Sequence, residues 1–218
     1  MRILGLDPSL TNFGWAVIDT EATGRDRCPA RGRFQTSKSK MDFVERNTYM
    51  RQALRDIIQE LDPDRIGVEF PVFNSDYSEG MYGLFLYTCE ALKLEKRDAV
   101  FWSPIQVKGH ARDSINRPQI DGKLWKMMKA DMVEAARNDT GGKGQWNHNE
   151  ADAYLVARLS SRFWQLYDDE LQEVDLTERE QKYFLEVKRY VRGKKAGREV
   201  KRGVAYRENE RFFLWSEN

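Results

Sequence analysis

Cysteine and histidine are scarce, two of each in 218 residues. Cys28 and Cys89 cannot build a disulfide framework or a four-thiolate zinc site, and two histidines argue against an imidazole-rich metal centre. No eighteen-residue apolar run occurs, so no membrane-spanning helix is expected, and Met1 leads into a strand pattern rather than a secretory leader. A reducing cytoplasm is the expected location. Neither sign of charge is in excess, the formal net charge being +1. That balance conceals segregation: residues 168–180 carry seven acids against one arginine, and residues 188–202 carry eight bases against Glu199. A basic block of this kind suits a nucleic acid or another polyanion; the plainer alternative is a solvated tail.

The ordered part of the pattern is α/β. Residues 2–7, 13–19 and 31–36 read as three strands close enough in sequence to pair antiparallel. Residues 41–61 carry apolar side chains at helical spacing and stop before Asp62-Pro63. Residues 65–70 form a fourth strand, expected parallel to the first by the crossover rule. A helix over 75–93 is apolar on two sides, with Met81, Leu84 and Leu92 on one and Tyr82, Leu86 and Tyr87 on the other. Such a helix serves either a core and a subunit interface together, or a larger core. A short strand over 99–103, a brief helix from Pro104, and helices over 123–137 and 149–167 complete residues 1–167. The remainder, 168–218, reads as a charged extension: a helix over about 177–192, a basic loop, and a strand or hairpin arm over 204–215. The order predicts an RNase H-like five-stranded mixed sheet, three antiparallel strands and then two parallel ones, flanked by helices.

Three acids stand at the mouths of core elements. Asp7 ends the first strand, Glu69 the fourth, and Asp152 lies in the first turns of the last long helix. A carboxylate at the end of a buried run is costly without compensation. Singly, each has a plain reading: Asp7 before Pro8 caps a turn, Glu69 makes a strand-end ion pair, Asp152 charges a helix start. Together, with strands one and four as neighbours, they favour an oxygen-ligand centre for Mg²⁺ or Mn²⁺. Two ions roughly 3.5–4 Å apart can stabilise the attacking and leaving oxygens of phosphoryl transfer. Asn149 and His148 share the helix face of Asp152, whereas Glu150 points elsewhere.

The opening Ile3-Leu4-Gly5-Leu6-Asp7-Pro8-Ser9-Leu10-Thr11-Asn12-Phe13-Gly14-Trp15 resembles that of the RuvC-type Holliday junction resolvases. Val68-Glu69-Phe70-Pro71-Val72-Phe73 is similar to that family's second acidic strand, Gln106-Val107-Lys108 to its Q-V-K segment, and residues 126–133 with Glu150-Ala151-Asp152-Ala153 to its last two helices. The resemblance covers about residues 1–165. It implies a homodimeric, magnesium-dependent endonuclease that nicks opposing strands of a four-way DNA junction, with two ions per site (manganese possible). Asp7, Glu69 and Asp152 carry over as ligands. The family's fourth ligand, usually Asp or His three residues earlier, corresponds to Asn149. That amide offers oxygen without charge, the mark of a weakened centre or of a replaced aspartate, and His148 stands one position off. Phe73 carries over as a stacking wedge, with Phe70 second and core packing the alternative for both. Lys108 and Lys126 carry over as phosphate contacts, with Lys129 beside the latter. Lys194 and Lys195 of the basic block extend the DNA-binding set, and residues 75–93 are the candidate dimer interface.

Three other readings compete. An actin- or sugar-kinase-type ATP-binding domain shares the strand-Asp-turn-strand opening, but Pro8 removes a backbone donor and Leu10 and Phe13 are bulky where phosphate turns need small residues. A proofreading-type exonuclease would carry an acid two residues beyond the first Asp, where this chain has Ser9. A junction-binding protein with little or no cleavage is consistent with Asn149.

Overall fold

The computed structural model describes residues 1–70, 78–115, 126–142 and 144–185, and four short strands beyond them. Five strands form one mixed sheet: β1 (Arg2–Asp7), β2 (Asn12–Asp19), β3 (Arg31–Gln35), β4 (Arg65–Glu69) and β5 (Ala99–Trp102), in the order β3-β2-β1-β4-β5. The pairs β1–β2 and β2–β3 are antiparallel, and β1–β4 and β4–β5 are parallel. This is the expected RNase H-like sheet, with β1 and β4 adjacent.

Strand alternation divides the sheet into two faces. Leu4, Leu6, Phe13, Val17, Ile66 and Val68 join a buried cluster with Met50, Leu54, Ile57 and Ile58 of α1 (Phe43–Leu61) and Leu84, Ala91 and Leu92 of α2 (Ser78–Leu94). Helix α1 begins at an Asp42 capping box, in which Asp42 accepts from the Glu45 backbone N–H and Glu45 accepts from that of Asp42, both at 2.8 Å. Helix α2 keeps the two-sided character read from its sequence: Tyr82 and Leu86 are 55% and 49% exposed while Leu84 is buried.

The opposite face carries α5 (His148–Tyr167), laid on glycines. A methyl group at Gly5 would lie 2.1 Å from the Ala153 carbonyl oxygen and 2.5 Å from the Ala157 nitrogen. One at Gly14 would meet the Asn149 carbonyl oxygen at 2.2 Å, and one at Gly67 the Ser160 hydroxyl at 1.8 Å. Helix and sheet approach this closely because three strands lack Cβ atoms along the helix path. Trp102 reinforces the packing by donating its indole N–H to Ser160 Oγ at 2.8 Å.

Two helical boundaries differ from the sequence reading. The helix expected over 123–137 is α4 (Lys129–Asp139): residues 126–128 lie ahead of it, and the Asp131 carboxylate accepts the Met128 backbone N–H at 2.8 Å, sealing the helix start. The helix expected over 177–192 stops early, as α6 (Glu178–Phe184). Beyond it β6 (Val187–Arg189) pairs antiparallel with β7 (Glu199–Lys201), and β8 (Ala205–Glu208) with β9 (Arg211–Leu214). A continued helix would place Lys188 one turn below Arg192, like charge on like charge. The strand pairing instead sets Arg189 opposite Glu199. The 204–215 arm expected from sequence is the β8–β9 hairpin.

The chain divides into Met1–Ser161 and Arg162–Asn218, a boundary inside α5 and ahead of the expected one at Tyr167. Within the second unit the acidic segment is folded. Phe184 packs edge-on against Phe163 at 5.5 Å, and the Arg162 guanidinium pairs with the Glu180 carboxylate at 2.9 Å. Glu180 also accepts the Thr177 backbone N–H and is only 3% exposed. Among the described residues no helix is long and apolar enough to cross a membrane, and Cys28 and Cys89 are free thiols.

Candidate active site

The register of the sheet places the acids. Asp7 pairs opposite Gly14, and Leu6 is level with Val68, so Glu69 follows alongside Asp7 on the same face. Helix α5 supplies the third acid. Its start is capped by Asn147, whose side-chain oxygen accepts the Asn149 backbone N–H at 3.0 Å. The contacts of Asn149 with Gly14 and of Ala153 with Gly5 fix the helix rotation. Asp152, between them in sequence, is thereby brought to the ends of β1 and β4.

The electrostatics record this convergence. Asp7 is raised well above the ordinary carboxylate range by burial, then by the negative charges of Glu69 and Asp152. Burial, followed by the charge of Asp152, pushes Glu69 to about 7. Burial pushes Asp152 to about 6. Lys108, on α3 (Pro104–Ala111), pulls all three downward, and Lys129, at the start of α4, pulls Asp7 and Asp152. Asp152 Oδ1 is buried and has no hydrogen-bond partner among the described residues. Hard carboxylate oxygens, one of them orphaned, fit a divalent cation such as Mg²⁺ or Mn²⁺. As they stand, the described residues hold no group of three His, Cys, Asp or Glu side chains close enough together to bind a metal ion.

Asn149 lies in the first turn of α5, with its backbone on Gly14. Lys126 is exposed, three residues ahead of α4. Phe73, Lys194 and Lys195 lie outside the described residues. Phe70 packs edge-on against Phe85, with ring centroids 4.9 Å apart. Glu150 points away from the acids, as its helix position requires, and pairs with Arg31 at 3.2 Å.

Arg31 went unread in the sequence. Besides Glu150 it binds the Gln145 carbonyl at 3.2 Å and stacks 3.9 Å from the centre of the Trp146 ring, tying β3 to the start of α5. The glycines under α5 were also unread, although a glycine inside a strand is itself a signal of close backbone approach.

The sheet order and the helix across it define an RNase H-like fold, with three acids at the edge of the sheet. The particular likeness is to RuvC. Over 76 residues, 35% of this chain, it is 38% identical to the crossover junction endodeoxyribonuclease RuvC of Rhizobium rhizogenes and 37% identical to that of Agrobacterium fabrum. The chain spans 44% of the length of these curated relatives. No family model matches. In shape it matches Thermus thermophilus RuvC with a TM-score of 0.61 at 18% identity, over 76% of this chain and 96% of that one. The same protein in complex with a Holliday junction substrate gives 0.60 at 16% identity, with the same coverage. The resemblance to RuvC is thus carried by identity over a third of the chain and by fold over three quarters of it.

Proposed function

We propose that this protein is a structure-selective DNA endonuclease that resolves four-way junctions by paired symmetric nicks, hydrolysing phosphodiesters with divalent metal. The observation that carries the reading is the convergence of Asp7, Glu69 and Asp152, half-buried acids from separate elements: the charges of Glu69 and Asp152 raise Asp7, and that of Asp152 raises Glu69. Asp7, Glu69 and Asp152 would hold the cations, with Asn149 offering an uncharged oxygen. Two bound Mg²⁺ or Mn²⁺ ions would supply an activated water and neutralise the leaving 3′-oxygen. Lys108 and Lys129 balance the excess negative charge of the centre and meet the phosphate backbone. The nuclease unit is residues 1–167, and the extension, with Lys194 and Lys195, adds backbone affinity, as Lys126 and the stacking ring of Phe73 do nearer the site. A homodimer would match the twofold symmetry of a junction, through the exposed side of α2. Free Cys28 and Cys89 suit the reducing cytoplasm.

Single-turnover cleavage of a mobile four-way junction with Mg²⁺ or Mn²⁺ tests the proposal. Nicks should appear at symmetric positions on two opposing strands. Asp7→Asn should slow them by about 10²-fold or more while junction affinity holds; an equal loss of binding would count against the ligand role. Asn149 favours a second reading, a junction-binding protein with little cleavage, because the amide withdraws one charge from the centre. Tight binding with no nicks from the unaltered chain would select it.

A further inference from the structure

One row of residues runs in register across the face that carries the acids. Arg33 of β3 pairs opposite Gly14 of β2, and Gly14 opposite Asp7 of β1. With neighbouring strands about 4.8 Å apart, Arg33 stands roughly 10 Å from Asp7 along the row. Gly14 contributes no side chain, and the Asn149 backbone rests upon it. Arg33 therefore flanks the carboxylate centre on the β3 side, with only the start of α5 between.

Arg31 and Arg33 lie on this same face, two residues apart, yet Arg31 is committed to Glu150, the Gln145 carbonyl and the Trp146 ring. Arg33 is exposed and has no ion-pair partner among the described residues, whereas Arg27, Arg51, Arg55, Arg65 and Arg97 are each paired. Lys129, also exposed, approaches from α4. His148 immediately precedes Asn149, whose backbone rests on Gly14 between Arg33 and Asp7, so it stands at the start of α5 beside the same row. Lys129 is shared with the acids, but Arg33 has no ion-pair partner of its own among the described residues, and an anion beside it would supply the missing charge.

We propose that Arg33, with Lys129 and His148 beside it, forms a subsite for a DNA backbone phosphate within about three nucleotides of the scissile linkage. The inference rests on the nuclease reading and deepens it: Arg33 holds the cleaved strand in line on the β3 side, while Lys108 contacts it near the acids. A rise of about 3.4 Å per nucleotide sets the distance, and the planar guanidinium offers the bidentate geometry that a phosphate accepts.

The test is junction binding and single-turnover nicking by the full chain, with Arg33→Ala and Arg33→Lys compared, and thermal melts confirming that both variants fold. For Arg33→Ala the dissociation constant should rise about tenfold, with a salt slope shallower by about 0.9, equivalent to one phosphate. The half-saturating DNA concentration should rise by a larger factor than the saturated rate falls. Arg33→Lys should recover the salt slope and only part of the affinity. Junctions with a single neutral methylphosphonate, moved one linkage at a time around the nick, locate the contact. At one position the neutral linkage should weaken the unaltered protein and leave Arg33→Ala no weaker. If every neutral linkage weakens both proteins equally, or if Arg33→Ala keeps affinity and slope, the subsite is wrong and the nuclease reading stands. If the unaltered chain has no affinity for branched DNA, both fall.

Discussion

Three carboxylates that share one low-dielectric edge cannot all ionise at their ordinary pH. In the folded chain Glu69 holds its proton to about pH 7 and Asp152 to about pH 6, and Asp7 is raised by burial and by both neighbours. In the unfolded chain each loses its proton near pH 4. The folded state therefore binds more protons between about pH 4 and 7, and stability falls as pH rises through that window. Without divalent cation, the melting temperature should drop by several degrees between pH 5 and 8, on the order of a few kcal/mol. Saturating Mn²⁺ should restore it at pH 8 and do little at pH 5, where protons compete for the same oxygens. A cation shift of equal size at both pH values would argue that these acids are not the ligands. Asn149→Asp places a fourth carboxylate one helical turn before Asp152. It should raise cation affinity and nicking rate by about tenfold or more, read by calorimetry and by single-turnover cleavage.

At the scale of elements, the site depends on how closely α5 lies against β1, β2 and β4. The tightest approach to backbone is that of the Ala153 carbonyl and Ala157 nitrogen over Gly5, and no rotamer change relieves a clash with backbone. Gly5→Ala should destabilise the protein by about 1–3 kcal/mol or more. It should also cut nicking disproportionately, because the displaced helix carries Asp152 and Asn149; chemical denaturation alongside cleavage checks both. Activity unchanged at full occupancy of the folded state would separate the helix from the chemistry. Sequence periodicity revealed α1, α2 and α5 because each buries a long apolar stripe. It misjudged α6, whose apolar anchors are Leu176, two residues ahead of it, and Phe184 at its end, while the basic residues that follow pair as strands.

The whole molecule adds to the RuvC-like part an extension whose charges are sorted between two kinds of structure. The acidic stretch folds around Phe163, Phe184 and the Arg162–Glu180 pair, so removing everything after Tyr167 would strip Phe163 of Phe184 and Arg162 of Glu180. Ending the chain after Leu185 isolates the basic ribbons instead. That deletion should weaken junction binding and make its salt slope shallower by about 0.9 for each phosphate no longer neutralised, measured by titration at several salt concentrations. An unaltered slope would make the ribbons bystanders. The exposed Tyr82 and Leu86 of α2, with Tyr49 and Val44 of α1 also exposed, belong to the same scale. Leu86→Glu should convert the proposed dimer to monomer in sedimentation and abolish paired nicking, leaving single nicks at most.

Sequence alone determined the strand order and the two-sided α2, and it singled out the three acids, because hydrophobic period and a carboxylate closing a buried strand are local patterns. It also marked Lys108 and Lys129, which the fold brings within electrostatic reach of those acids. Only the tertiary structure decided that α5 rides on Gly5, Gly14 and Gly67, that Arg31 is spent on Glu150 and Trp146, and that Arg33 is left beside the centre. Those facts depend on pairings between residues far apart in the chain, and no local period encodes them. A glycine in a strand announces a close approach; which backbone makes that approach is settled when the helix docks.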